Sequence, residues 1–243
     1  MAEEKWYTGE FIKIIDETQN TKRFWIRVND LERFDFKAGQ FATMELPIHE
    51  KKPRRLRSYS IASAPDGTNV FELLIVLNEQ GVGTPWLWQN IKVGSTIPVR
   101  GPLGVFTLPD PLEQDICFIC TGTGIAPFRA MLHWLKAHPE VPRKNLYLLF
   151  GSRYMKDTLY NKEMEELQNE LPNFKYVLTL SREDAADYTG RKGYVHALYE
   201  EIFADKRPCH FYLCGWRAMI DEAKKKLTEL GYDRKSIHVE LYG

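Results

Sequence analysis

Two glycine-rich turns stand where a chain could hold phosphate. Thr121-Gly-Thr-Gly-Ile-Ala-Pro127 follows an apolar strand pattern and opens a helix pattern. Its glycines permit positive φ and close backbone approach. Pro127 suits a first helical turn, where a missing N–H does no harm. Free N–H groups at such a helix start favour an anion, a pyrophosphate among them. The same residues also suit a plain strand-to-helix turn. Gly81-Val-Gly-Thr-Pro85 repeats the arrangement, with Thr84 as the expected N-cap and Pro85 as the expected first helical residue. Arg57-Ser-Tyr-Ser60 lies in a predicted strand, and alternation places Arg57 and Tyr59 on one face. A cation beside an aromatic ring suits a ligand with both a phosphate and a flat ring, although a solvated strand reads the same way.

Other chemistries are poorly represented. Cys117 and Cys120 form a C-x-x-C inside Ile116–Thr121, a buried-strand pattern. A redox C-x-x-C opens a helix and a zinc ribbon needs a second pair, so these thiols read as structural. The six histidines show no metal spacing, and no metal is expected. Lys+Arg and Asp+Glu both number 33, which argues against a basic nucleic-acid module. No apolar run reaches the roughly 20 residues of a membrane helix. The N-terminal Met-Ala-Glu-Glu lacks a secretory pattern, and the cysteine usage suits a reducing cytoplasm.

The elements that must position these residues change in kind at Pro109-Asp-Pro-Leu112. Before it, Thr8–Ile15, Thr21–Val28, Gln40–Leu46, Arg55–Ala62, Val70–Val76 and Thr96–Arg100 read as short strands. Turn signals such as Gly101-Pro-Leu-Gly104 separate them, which predicts an antiparallel barrel over residues 1–110. After it, strands at Ile116–Thr121, Leu146–Phe150, Phe174–Leu180, His210–Cys214 and Ile237–Leu241 alternate with helices, starting with one over Ala126–Lys136. Residues 111–243 are therefore expected to form an α/β domain on a parallel sheet, with ligands at the carboxyl ends of its strands.

Taken in order, these pieces resemble the ferredoxin–NADP reductase superfamily over nearly the whole chain. Arg57-Ser58-Tyr59-Ser60 is similar to its R-x-Y-S flavin motif, and Gly81-Val-Gly83-Thr84 to its flavin pyrophosphate loop. Gly101-Pro-Leu-Gly104 matches the motif that closes the barrel. Thr121-Gly122-Thr123-Gly124 matches the nicotinamide-side loop, and Cys214-Gly215-Trp-Arg-Ala-Met219 its C-G-x-x-x-M. The resemblance implies FAD, in preference to FMN, in the barrel and a pyridine nucleotide on the parallel sheet. It implies Tyr59 against the flavin ring, Ser60 near the reactive nitrogen, and Arg57 with the Gly83–Thr84 amides at the pyrophosphate. Strand alternation turns Ser60 away from Tyr59, so a kink or strand end is required there. The resemblance places Cys214 beside the nicotinamide. The ending Val239-Glu-Leu-Tyr242 resembles the plant-type terminus, which makes Glu240 the candidate carboxylate and Tyr242 the ring shielding the flavin. Here the chain departs by one residue, Gly243.

Nucleotide choice follows from charge. A 2′-phosphate needs cations, and Arg153, Arg182 and Arg191 follow predicted strands, with Ser181 as a hydroxyl donor. NADP is therefore expected over NAD. Lys51-Lys-Pro-Arg-Arg55 is the dense basic run, open to the FAD adenine end, to an acidic partner, or to solvent. The function implied is a reductase exchanging electrons with a separate carrier, ferredoxin or flavodoxin. The alternatives are an oxygenase component as acceptor, or a flavin-binding regulatory subunit without turnover. The chain is expected to act as a monomer.

Overall fold

Phe24, Ile26 and Val28 alternate inward along strand β2 (Thr21–Val28), the pattern that commits one face of a strand to a core. The computed structural model describes residues 5–242; the Met-Ala-Glu-Glu start and Gly243 lie outside the described residues. By contacts the chain divides into two units. One is the chain to Thr107 with Arg129–Trp134, and the other is Leu108–Phe128 with the chain from Leu135 onward.

The first unit holds β1 (Tyr7–Thr18), β2, β3 (Phe41–Glu45), β4 (Leu56–Ser60), β5 (Val70–Val76), helix α1 (Gly83–Asn90) and β6 (Thr96–Leu103). The antiparallel sheet runs β4-β3-β6-β1-β2-β5. Its two edge strands meet where Ile61 bridges Leu73 and Ala62 N donates to Glu72 O at 2.8 Å, so the sheet closes into a barrel. Phe11, Phe24, Phe71, Met44 and Leu87 of α1 fill its interior.

Two expectations need correction here. Gly101-Pro-Leu-Gly104 does not end its strand, because β6 continues to Leu103. The pairing with β3 slips between Phe41 and Thr43, and a bulge of this kind is where a strand accepts proline. Thr84 is not the N-cap of α1, since Val82 holds that position. The Thr84 hydroxyl instead accepts from Asn78 N at 2.8 Å and donates to Asn78 O at 3.3 Å, tying down the incoming loop.

The second unit holds β7 (Asp115–Thr121), the two ends of α2 (Ile125–Ala137), whose middle Arg129–Trp134 groups with the first unit, β8 (Leu146–Ser152), α3 (Asn161–Glu170), β9 (Phe174–Leu180), β10 (Arg191–Lys192), α4 (His196–Ile202), β11 (Cys209–Gly215), α5 (Arg217–Glu229) and β12 (Ile237–Leu241). The sheet is parallel, in the order β10-β9-β8-β7-β11-β12. Both faces are covered. Leu198, Tyr199, Ile220 and Leu227 of α4 and α5 pack on Cys117, Phe211 and Leu213, while Phe128 of α2 meets Phe118 on the other side at 4.9 Å. The chain moves outward from β7 through β8 and β9, then returns to the opposite side of β7 with β11. The carboxyl ends of β7 and β11 therefore border the point where strand order reverses, the usual ligand position in such sheets. Among the described residues no helix is long and apolar enough to cross a membrane.

Candidate functional site

In the barrel unit, Arg57 and Tyr59 are half-buried on β4. The strand ends at Ser60, which is 4% exposed and pairs in register with Phe41. Burial pushes the Tyr59 phenol up to about 12 against the opposing pull of Arg57. Ser58 points to the other face, where its hydroxyl pairs with Thr43 Oγ1 at 2.9 Å.

The Gly81–Thr84 loop comes to the same place. A Cβ at Gly83 would stand 2.9 Å from Arg57 Nε and 3.3 Å from its Cγ. Glycine is thus what lets the α1 start lie against the Arg57 side chain. Arg57 is braced from behind, donating Nη1 to Leu56 O at 2.7 Å and to Arg54 O at 3.0 Å. The first-turn N–H groups of α1 have no side-chain cap. A guanidinium beside an uncapped helix start is a donor set that fits a pyrophosphate. The Gly81 N–H is engaged by Asn78 O at 3.0 Å, which makes that residue part of the turn. The basic run forms a single 3₁₀ turn, Lys52–Arg55, in which Arg55 is held by Glu45 and by the His49 and Glu50 carbonyls.

In the parallel-sheet unit, Gly122–Gly124 form one 3₁₀ turn between β7 and α2, with Gly122 at φ +53. The loops after β7 and β11 interlock. A Cβ on Gly124 would lie 2.3 Å from Cys214 O, and one on Gly215 would lie 2.5 Å from Thr121 Oγ1. Trp216 N donates to Thr121 Oγ1 at 3.1 Å. Cys214 is buried, and burial pushes its thiol up, with the Tyr242 hydroxyl opposing. Glu240 pairs in register with Cys214 across β11 and β12. The Tyr242 hydroxyl donates to Thr123 O at 3.2 Å, so Cys214, Glu240, Tyr242 and the Thr121–Gly124 turn form one cluster. Met219 is 8% exposed and belongs to the core under α5. Its side chain packs the scaffold.

The strand-end cations are brought together in part. Parallel pairing continues past β8 and β9, with Ser181 N donating to Ser152 O at 2.9 Å and Arg182 N to Arg153 O at 3.0 Å. Arg153, Ser181 and Arg182 therefore sit on adjoining backbone, and Arg182 is exposed. Arg191 lies one strand further out, on β10, and is held by Glu201 through two bonds of 2.7 and 2.8 Å. The Glu183 carboxylate lies at the base of the same loop. Hydrogen bonds from Met155 N and Ala185 N hold it below the usual carboxylate range.

Sequence reading left Trp216 unassigned. It is 67% exposed, and its ring stands 5.9 Å from the Arg153 guanidinium. A bulky aromatic residue directly after a glycine turn at a strand end was the available signal.

Comparison with known proteins identifies the family. Residues 9–108 match the family model "Oxidoreductase FAD-binding domain", and residues 118–225 match "Oxidoreductase NAD-binding domain". A "Ferredoxin--NADP reductase B" of Sorangium cellulosum is 36% identical, over 88% of this chain and 88% of that protein. A glycine betaine monooxygenase reductase subunit of Pseudomonas aeruginosa is 29% identical over 96% of this chain, which spans 63% of that longer protein. An Amycolatopsis cytochrome P450 reductase structure superposes with a TM-score of 0.85 at 28% identity, covering 98% of this chain and 70% of that one. A Neisseria gonorrhoeae ferredoxin NADP+ reductase structure shares the fold, with a TM-score of 0.81 at 23% identity over 99% of this chain and 100% of that one. The extent of the Sorangium match, with both cofactor domains in order, shows that the chain belongs to the ferredoxin–NADP reductase superfamily and is an oxidoreductase that takes FAD and a pyridine nucleotide.

Proposed function

We propose that this oxidoreductase prefers NADPH and exchanges electrons with a separate protein carrier, ferredoxin or flavodoxin in the first instance. The observation that supports the nucleotide preference is the pairing of the β8 and β9 ends, in which the backbones of Arg153, Ser181 and Arg182 adjoin. Two guanidinium forks and a hydroxyl suit a 2′-phosphate better than a ribose hydroxyl. Arg191 contributes by exchanging one of its Glu201 bonds. FAD, when bound, supplies the conversion between two-electron and one-electron carriers.

The chain's own residues bind and orient. Arg57 and the Gly83–Thr84 amides hold the FAD pyrophosphate, and Tyr59 packs on its ring. Thr121, Gly122, Thr123 and Gly124, with Gly215, present backbone to the nucleotide. Ser60 and Glu240 hold or pass protons, the protonated Cys214 lies against the nicotinamide, and Tyr242 shields the site until nucleotide arrives. An oxygenase component is the second reading for the acceptor, favoured by the glycine betaine monooxygenase relative.

The test compares kcat/KM for NADPH and NADH with ferricyanide as acceptor, then offers the reduced protein purified ferredoxins, flavodoxins and oxygenase components. A higher value for NADPH and fast oxidation by a ferredoxin or flavodoxin support the proposal. Equal values, or oxidation by an oxygenase component alone, overturn the corresponding half of it.

A further inference from the structure

The parallel sheet leaves β12 open. Among the described residues no strand pairs with its outer side. The opposite end of the sheet finishes in the two-residue β10, and the edges of the barrel sheet meet at Ile61 and Leu73. An open edge presents unpaired N–H and C=O groups, and chains blunt such edges with proline, lysine or a bulge. The β12 sequence Ile237-His-Val-Glu-Leu241 has no proline or lysine. Its register with β11 is unbroken from Phe211–Ile237 to Gly215–Leu241, and Leu241 is 53% exposed.

A groove of about 680 Å³ runs between this strand and α5. Ile237 and Val239 line it together with the cations Lys224, Lys225 and Arg234 and a single acid, Glu229. Glu229 lies 3.9 Å from Lys225, its i,i+4 neighbour. Lys224 and Arg234 have no ion-pair partner among the described residues. The groove thus joins backbone donors and acceptors, an apolar floor and uncompensated positive charge.

We propose that this edge docks an extended acidic segment of a partner protein, which adds as a strand to β12. Main-chain bonds to the open edge would supply affinity. On the face of the added strand that lies over the groove, its carboxylates would meet Lys224 and Arg234 and its apolar side chains would cover Ile237 and Val239. A second copy of this chain is the poorer occupant, because two-fold pairing brings the same cations to the same edge. The groove shares no lining residue with the proposed nucleotide or flavin sites, although β12 itself carries Glu240, and peptide binding is read without flavin or nucleotide so that it is tested separately from the proposed function.

The experiment titrates the full chain into a fluorescein-labelled seven-residue peptide whose alternate, groove-facing positions carry both Glu and Val with Thr between them, and follows anisotropy. Saturable binding that weakens at least about tenfold in the Lys224→Glu/Arg234→Glu variant is expected. The binding should weaken with salt and disappear when alternate peptide nitrogens are methylated. Hydrogen exchange over Ile237–Leu241 should slow in the complex. Unchanged reductase turnover establishes that the variant is folded. Absence of saturable binding, equal binding of a Lys–Val peptide, equal binding by the variant, or equal binding of the methylated peptide would each overturn the proposal. So would light scattering that shows a dimer paired through β12.

Discussion

Replacing Gly83 by alanine isolates the contact on which the proposed role of Arg57 at the FAD pyrophosphate rests. The added methyl would lie 2.9 Å from Arg57 Nε, 3.3 Å from Cγ and 3.4 Å from Cδ. All three atoms belong to a flexible side chain, so Arg57 moves and the barrel does not. Losing a hydrogen bond to a charged group costs about 1.5–3 kcal/mol. The FAD dissociation constant of Gly83→Ala should therefore rise roughly 10- to 150-fold. Stability should barely change, because alanine gains up to about 1 kcal/mol over glycine in a helix, which offsets the crowding. The assay is a flavin titration of apoprotein, with urea unfolding of the same samples. Gly81→Ala serves for comparison, since its methyl would meet Asn78 at 3.3 Å and not Arg57. Equal FAD affinity in Gly83→Ala and the parent chain would refute the role given to Arg57.

Arg182→Ala should lower kcat/KM for NADPH by roughly 10- to 150-fold and leave NADH nearly unchanged; equal loss with both nucleotides would make this arginine structural or a contact to the shared pyrophosphate. Tyr242→Phe loses the hydrogen bond to Thr123 O and should change NADP⁺ affinity less than about tenfold. Tyr242→Ser removes the ring and should tighten NADP⁺ binding, read from the flavin spectrum, and unchanged affinity would place the ring outside the path of the nucleotide. Stability should fall on acidification below about pH 6.5. Burial lowers His196, His210 and His238 below the ordinary 6.5, so the unfolded chain binds more protons there. The stability they confer is complete above 6.5 and is lost as pH falls through the lowered folded values. His196→Gln should flatten the pH dependence of the urea midpoint, whereas a midpoint that rises on acidification would show that attraction to Glu222, 3.2 Å from His196 Nε2, outweighs burial.

The elements with strong periodicity were legible in the sequence, and the places where they meet were not. Val70–Val76 and Phe174–Leu180 were read to the residue, because apolar runs bounded by turns have few alternatives. The two-residue β10 carries only Arg191 and Lys192, so no apolar pattern could announce it. Thr84 had the composition of an N-cap, but a bond to Asn78, six residues upstream, claimed its hydroxyl, and composition cannot show such competition. Met219 stood in a motif and packs in the core, because a motif fixes spacing while helix phase decides which face a residue takes. The pairing of Arg153 with Arg182 depends on two loops, 29 residues apart in the sequence, continuing one sheet register. The Arg191–Glu201 pair is invisible for the same reason, since which acid meets which base is settled by tertiary structure.

The most direct test of the central claim is anaerobic addition of NADPH to the protein loaded with FAD, followed through the yellow flavin absorbance. The account predicts that the chain takes up one FAD, and that NADPH bleaches it within seconds and faster than NADH does. A chain that takes up no flavin, or whose bound flavin stays yellow with both nucleotides, would contradict it.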